Sequence, residues 1–444
     1  MMEHYRSAYE VSESQVTTPE AIVSFFWQLT RQYRERLGSV LDIGAGDCRF
    51  ARGGSFDHYV GVEIDQRRVA AAHPPVNGTI IRGCVFRHKG SDYDACIGNP
   101  PYARHHDIES RWKEQTIARL EREMAVSLDK HCNLYIYFFC LGLLKTCGGG
   151  LTALVIPYEW VSRPSTRALR EYIHRNRWNV AVYRFQMPIF DGVMTTASVS
   201  IVDKARRDER WTYYDIAPGY RVVTRQGIAD STEGVIDYAE RGRIWALRGL
   251  SPGSQKVFTL TEGERIHAGL SRRDVVPCVT TLRRVPRDLR TLSQAAFQKH
   301  FVKAGAKCWL IRSHEVERSS ALHAYLEAVP EKDRQTYTCQ NQTPWFKYKP
   351  HPVPQMLFSS GFTKFGPKVL LNSVGAHAVG SVWGIHAKAA MPVRRLQSYL
   401  LGINFEQQVV AHAKTLKKVE VRQLNAVLNT FVEQERKNGR SGSR

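Results

Sequence analysis

The tetrapeptide Asn99-Pro100-Pro101-Tyr102 closes the apolar run "YDACIGN". Average composition yields a given Asn-Pro-Pro-Tyr on the order of once in a thousand chains of this length. Two prolines fix φ and remove two backbone donors, which leaves the carbonyls of Asn99 and Pro100 open to a ligand. A rigidly held Asn oxygen and a neighbouring carbonyl make two acceptors for the two protons of an exocyclic amino group. Such acceptors localise and aim the amine lone pair, and the adjacent Tyr102 ring offers a face on which a base can stack. The plain alternative is a rigid turn with the tyrosine as packing.

A second cluster lies upstream in "LDIGAGDCRF", where a strand ends in Asp42 and runs into Gly44-x-Gly46. Glycines there let the backbone approach a ligand and turn into the next element. A dinucleotide site calls for a further glycine at the sixth position, which is Arg49 here, so the pattern suits an adenosyl ligand without pyrophosphate. Glu63, with Ile64 beside it, ends the next strand nineteen positions after Gly44. A carboxylate at that place can accept both hydroxyls of a ribose. A tight turn and a surface acid are the corresponding plain readings.

These groups need a scaffold that presents strand ends to one edge. From Ser39 to about Lys204, short β-branched runs alternate with helical patterns: "SVLDIG", "YVGVEID", "GTIIRG", "YDACIGN", "LTALVIP", "NVAVYRF" and "TASVSIVDK" as strands, "IESRWKEQTIARLEREMAV" and "NLYIYFFCLGLLK" as helices. Alternation of this kind predicts a mostly parallel, doubly wound α/β sheet, with the last two strands paired as a terminal hairpin. "CGGG" is expected to stop the second helix. The charged segment "DKARRDER", Asp203 to Arg210, marks the expected boundary between a first domain, 1–210, and a second, 211–444.

The chain has 444 residues and a net charge of +21. Residues 1–210 hold 28 Lys+Arg and 24 Asp+Glu, which leaves 35 against 18 for residues 211–444. A single-sign field of that size favours a polyanion, and nucleic acid is the commonest such partner. The longest apolar stretch, "LYIYFFCLGLL", is too short to span a bilayer, and the N-terminus has no signal-like apolar region. Nine scattered cysteines without Cys-x-x-Cys, and sixteen histidines without His-Glu-x-x-His, predict a reducing cytoplasm, no structural zinc and no catalytic metal. His105 and His106 read as polar loop residues.

The order "TTPEAIVSFF", "LDIGAGD", "GVEID", "IGNPPY", "NLYIYFFCLGLLK", "LTALVIPYEWV" and "FQMPIFDGVMTTASVSIV" resembles the γ-class DNA adenine-N6 methyltransferases of restriction-modification systems, over roughly the first 205 residues. The resemblance implies a Rossmann-like S-adenosyl-L-methionine-dependent sheet followed by a mixed α+β basic target recognition domain. It also implies double-stranded DNA as substrate, a flipped adenine methylated at N6, and a bacterial or archaeal cytoplasm, with a cognate restriction endonuclease as a further partner. By matching positions, Thr17 and Thr18 contact the methionine end of the cofactor, Phe138 lines its adenine pocket, and Phe190 is the second base-stacking aromatic opposite Tyr102.

One departure stands out: the family usually carries an acid after the third strand, and this chain has Cys84 there. The full cofactor set is thus Thr17, Thr18, Asp42, Gly44, Gly46, Glu63, Ile64, Cys84 and Phe138, and the catalytic set is Asn99, Pro100, Pro101 and Tyr102. Rival expectations are an rRNA or protein-glutamine N-methyltransferase with the same motif, or a non-catalytic DNA-binding module on a degenerate methyltransferase fold.

Overall fold

A computed structural model describes residues 17–190, 196–224, 239–363, 365–388, 392–409, 411–413 and 416–441. The chain divides into two compact units.

The first unit is built on a nine-stranded sheet: β1 (Leu37–Ile43), β2 (Phe56–Glu63), β3 (Gly78–Arg82), β4 (Tyr93–Gly98), β5 (Thr146–Pro157), β6 (Asn179–Phe185), β7 (Ala197–Asp203), β8 (Trp211–Ala217) and β9 (Arg221–Thr224), in the order β3-β2-β1-β4-β5-β7-β6-β8-β9. Strands β1 to β5 are mutually parallel, and β7 runs antiparallel between β5 and β6. β5 is buried from Leu151 to Pro157 and packs on both faces. Ala153 and Val155 enter one core with helix α1 (Glu20–Arg31), whereas Leu154 and Ile156 enter the other. A strand covered on both sides has no polar face to show, which is why these runs read as continuous hydrophobics.

Three further helices bear on the site. α2 (Gln66–Ala70) follows β2. α3 (Ser110–Met124) is polar overall but buries Trp112, Thr116, Ile117, Leu120 and Met124 along one face. α4 (Leu134–Lys145) is apolar all round, with eleven of twelve residues buried, as a helix enclosed by sheet and neighbouring helices requires. It passes at Thr146 directly into β5, so the "CGGG" residues extend the strand rather than a loop.

The sheet corrects the expected boundary. β8 pairs in parallel with β6, and β9 pairs antiparallel with β8, so the first unit extends past residue 210. Two of the "DKARRDER" charges, Asp203 and Lys204, are buried and engaged. Lys204 Nζ donates to Leu143 O (2.6 Å) and Thr146 O (2.7 Å), capping the end of α4 beside the Trp178 ring, and Arg34 Nη2 meets Asp203 Oδ1 at 3.1 Å. Burial lowers the Lys204 pKa to about 8.

The second unit is mixed α and β. Strands Ile244–Leu247, Val382–Ala387, Met356–Ser359, Val369–Asn372 and Thr291–Leu292 form one sheet in that spatial order, and Thr259–Leu260, Trp309–Ile311, Val275–Val279 and His377–Ala378 form another. Two separate apolar cores lie against them. Among the described residues no helix is long and apolar enough to cross a membrane.

Candidate functional site

In the first unit the strand order reverses between β1 and β4: the chain winds outward through β2 and β3 on one side and through β5 on the other. Registers Asp42↔Gly61 and Asp42↔Ile97 bring the carboxyl ends of β1, β2 and β4 to one edge. Loops leaving such a reversal part around a crevice, the usual ligand position in open α/β sheets. The Gly44–Gly46 loop, Glu63 and Asn99 all sit at these strand ends.

Gly44 and Gly46 have φ of +90° and +58°, conformations that L side chains rarely adopt. Gly44 N and Ala45 N donate to Val62 O at 3.0 and 3.1 Å, which locks the loop onto β2. A Cβ at Gly44 would meet nothing closer than Phe138 Cε1, at 3.9 Å, so the phenylalanine ring faces the glycine backbone. Phe138 is held edge-on by Phe86 at 5.0 Å, a neighbour that sequence reasoning missed. Its signal was position alone, two residues beyond Cys84. Cys84 itself is half-buried at the start of the short turn Val85–Arg87, and Ile64 packs against the same core.

Glu63 is 6% exposed, and both its oxygens are engaged: Oε2 accepts from Gly46 N (2.9 Å) and Oε1 from Asp65 N (2.8 Å). The carboxylate is therefore fixed in orientation while each oxygen keeps a second lone pair. Asp42 lies beneath, fully buried. Its Oδ2 accepts from Tyr59 Oη at 2.7 Å and its Oδ1 has no partner. Burial raises the Asp42 pKa to about 7, against the opposing hydrogen bond from Tyr59.

Asn99 follows Gly98, whose φ is +137°. A Cβ there would lie 2.8 Å from Asp42 Oδ1 and 3.2 Å from Ile43 O, so only glycine lets β4 end this close to β1. Gly98 was legible as the "G" of "IGNPPY", yet its role depends on a contact 56 residues back in the chain. Asn99 Nδ2 donates to Thr18 Oγ1 at 3.0 Å, and its Oδ1 is buried without a partner. Thr18 is 3% exposed and its carbonyl accepts from Arg49 Nη1, whereas Thr17 is exposed. Pro100 is buried, and Pro101 and Tyr102 are half-buried.

Tyr102 Oη donates to Val155 O at 3.0 Å, which pins the ring, and burial pushes its pKa up so that the phenol stays neutral. Its ring meets Phe190 at 6.2 Å and 75°, and Tyr135 at 6.1 Å and 68°. The two aromatics picked from sequence are thus neighbours, but edge to face. A base between them needs parallel faces about 7 Å apart, twice the contact distance of two carbon layers. Residues 191–195, which follow Phe190, lie outside the described residues.

His105 stacks edge-on with His106 and His131. Among the described residues no group of three or more His, Cys, Asp or Glu could hold a metal ion.

Comparison with known proteins adds three findings. Residues 59–190 match the Eco57I restriction-modification methylase model, and residues 242–402 match that of the type II methyltransferase M.Eco57I, C-terminal domain. The first range contains Asn99 to Tyr102 and ends at Phe190. Two curated relatives are the type II methyltransferases M.AccI of Acinetobacter calcoaceticus and M.XamI of Xanthomonas campestris pv. amaranthicola. M.AccI is 19% identical, over 78% of this chain and 70% of its own. M.XamI is 25% identical, over 52% of this chain and 46% of its own, so the chain spans about half its length. The solved structure of the type IIL restriction-modification enzyme MmeI in complex with DNA shares the fold, with a TM-score of 0.59 at 11% identity over 95% of this chain and 65% of that one.

Proposed function

We infer that the chain is a DNA methyltransferase of the restriction-modification type, and that it transfers a methyl group to N6 of an adenine flipped out of duplex DNA. The observation that carries the reading is the buried, unpartnered Oδ1 of Asn99, placed at the strand-order reversal beside the glycine loop. A buried acceptor without a donor costs stability unless a ligand satisfies it. An exocyclic amine brings a donor of the right kind.

The residues present fit S-adenosyl-L-methionine. Glu63 would hold the ribose hydroxyls, the Gly44–Gly46 backbone would lie against the ligand, Phe138 would cover its adenine, and the Thr17–Thr18 segment would approach its methionine end. When bound, this cofactor supplies a methyl group activated on a sulfonium centre. Cys84 offers no carboxylate for the adenine amino group, so backbone groups or another residue would serve there.

The protein's own work is positioning. Asn99 Oδ1 and the Pro100 carbonyl accept the two amine protons and aim the nitrogen lone pair. The amine attacks as a neutral nucleophile and loses its extra proton after transfer, so no general base is needed. An adenine inside the stack cannot present its amino group to a buried donor, which makes extrusion a geometric requirement. Tyr102 and Phe190 take the extruded ring between them, which requires them to turn from edge-on to parallel. The basic second unit holds the duplex and selects the sequence.

The test is incubation of the protein with methyl-labelled cofactor and, separately, duplex DNA, ribosomes or a glutamine-containing peptide. Label in DNA, recovered as N6-methyladenine, supports the reading. Label in ribosomal RNA or peptide selects the rival methyltransferases, and no cofactor binding by calorimetry selects the non-catalytic module.

A further inference from the structure

In the second unit, the loop between strands Gly361–Phe362 and Val369–Asn372 carries Phe365, which is 75% exposed with φ of +66°. A bulky aromatic in the left-handed region is an outlier, and glycine would hold that place without strain. Nothing in the unit is gained by burying this ring, because it is not buried.

The tip is nonetheless held firmly. Arg287 lies over the ring at 5.2 Å and its Nη2 donates to the carbonyls of Phe365 and Gly366. Lys368 Nζ donates to Leu282 O (2.8 Å), Arg283 O (3.1 Å) and Val285 O, which ties the loop to the segment "RRVPRDLR", residues 283–290. That segment presents Arg283, Arg284, Arg287 and Arg290 to solvent, with Asp288 as its one acid. An exposed, strained, braced phenylalanine therefore has Arg287 over its ring, and the segment that braces it carries three further exposed arginines.

We propose that Phe365 is a wedge for duplex DNA: the ring inserts at a base step while the flanking arginines contact the phosphates on either side. Backbone strain persists where a bound state rewards it. Apolar wedges that unstack base steps beside cationic phosphate contacts are a known physical means of holding a deformed duplex. The charge around the ring selects a polyanion over an apolar partner. This inference rests on the DNA-methyltransferase reading and adds a contact outside the methyl-transfer site.

The experiment uses the full chain as wild type, Phe365→Ala, Phe365→Gly and Phe365→Leu. The duplexes contain the methylated sequence, with 2-aminopurine scanned through it one position at a time. In wild type, emission should rise at the flipped target and at a second step, where the wedge unstacks the helix. In the Ala and Gly variants the second signal should vanish while the target signal remains, and duplex affinity should fall about tenfold, the loss of roughly one stacked base. Leu should retain most of both. The Gly variant should unfold at the same temperature or higher, since strain is relieved, so weaker binding there cannot come from unfolding. Unchanged affinity and an unchanged fluorescence profile in the Ala and Gly variants overturn the wedge. A wild-type protein that brightens only the target overturns the wedge alone, and one that binds no duplex overturns it together with the functional reading.

Discussion

The Nδ2 of Asn99 donates to Oγ1 of Thr18, 81 residues away in the chain, at 3.0 Å. That single bond decides which end of the Asn99 amide points onward: with the nitrogen occupied, the oxygen is the group left buried and unpartnered. On the proposed reading Thr18 would act on the reacting amine through Asn99, in addition to the cofactor contact that resemblance assigns to it.

Thr18→Val should leave cofactor affinity within a few-fold of wild type and lower kcat by about two- to tenfold, the worth of one neutral hydrogen bond. Thr18→Ser should restore the rate. A Val variant whose loss lies entirely in cofactor KM would show that Thr18 serves the cofactor and not the amide.

Gly98→Ala should destabilise the protein by about 1–3 kcal/mol, because a Cβ at φ +137° faces Asp42 Oδ1 at 2.8 Å. It should also misplace Asn99 and reduce transfer more than cofactor binding. Denaturant unfolding checks the first effect and single-turnover rates the second. Wild-type stability in this variant contradicts the packing of β4 against β1.

Glu63→Ala removes the acceptor of the Gly46 and Asp65 amides as well as the expected ribose contact. Cofactor affinity by calorimetry should weaken about ten- to a hundredfold, the range for hydrogen bonds to a charged group. Transfer at saturating cofactor should fall much less, since such a contact is similar in ground and transition states. An unchanged dissociation constant contradicts the assignment.

Asp42 gives a pH signature. Its folded pKa, about 7, lies above the ordinary value of 3.8, so between these values the native state binds more protons than the unfolded one. Stability contributed by this group is full below about pH 4 and is lost as pH rises towards 7. Asp42→Asn keeps the shape and cannot ionise. Its stability relative to wild type should therefore grow from pH 4 to pH 7 and level off above. A constant difference across that window would show that Asp42 is already ionised in the folded protein.

Much of the first unit was legible because a parallel sheet buried on both faces must be written in unbroken apolar runs. All seven strands expected from such runs are present, and Gly44, Gly46 and Asn99 announced themselves by residue type. β8 and β9 were missed because "DKARRDER" has the composition of a linker. Two of its charges are in fact consumed locally, Lys204 by the end of α4 and Asp203 by Arg34. The Thr18–Asn99 and Gly98–Asp42 contacts left no mark because they join residues far apart in the chain. The second unit was opaque for the same reason: Thr291–Leu292 pairs with Val369–Asn372, and Val275–Val279 with His377–Ala378, so neighbours in its sheets are not neighbours in sequence.

The central claim is that Asn99 orients an adenine amine. It is tested most directly by single-turnover methyl transfer to the duplex at saturating cofactor and DNA, comparing wild type with Asn99→Ala, with the product nucleoside identified. Wild type should yield N6-methyladenine. Asn99→Ala should bind cofactor and duplex within a few-fold of wild type yet lose transfer by at least a hundredfold, since the acceptor matters most for orienting the reacting amine. An Asn99→Ala variant that transfers methyl at the wild-type rate, or that loses cofactor binding while its single-turnover rate is unchanged, contradicts the account.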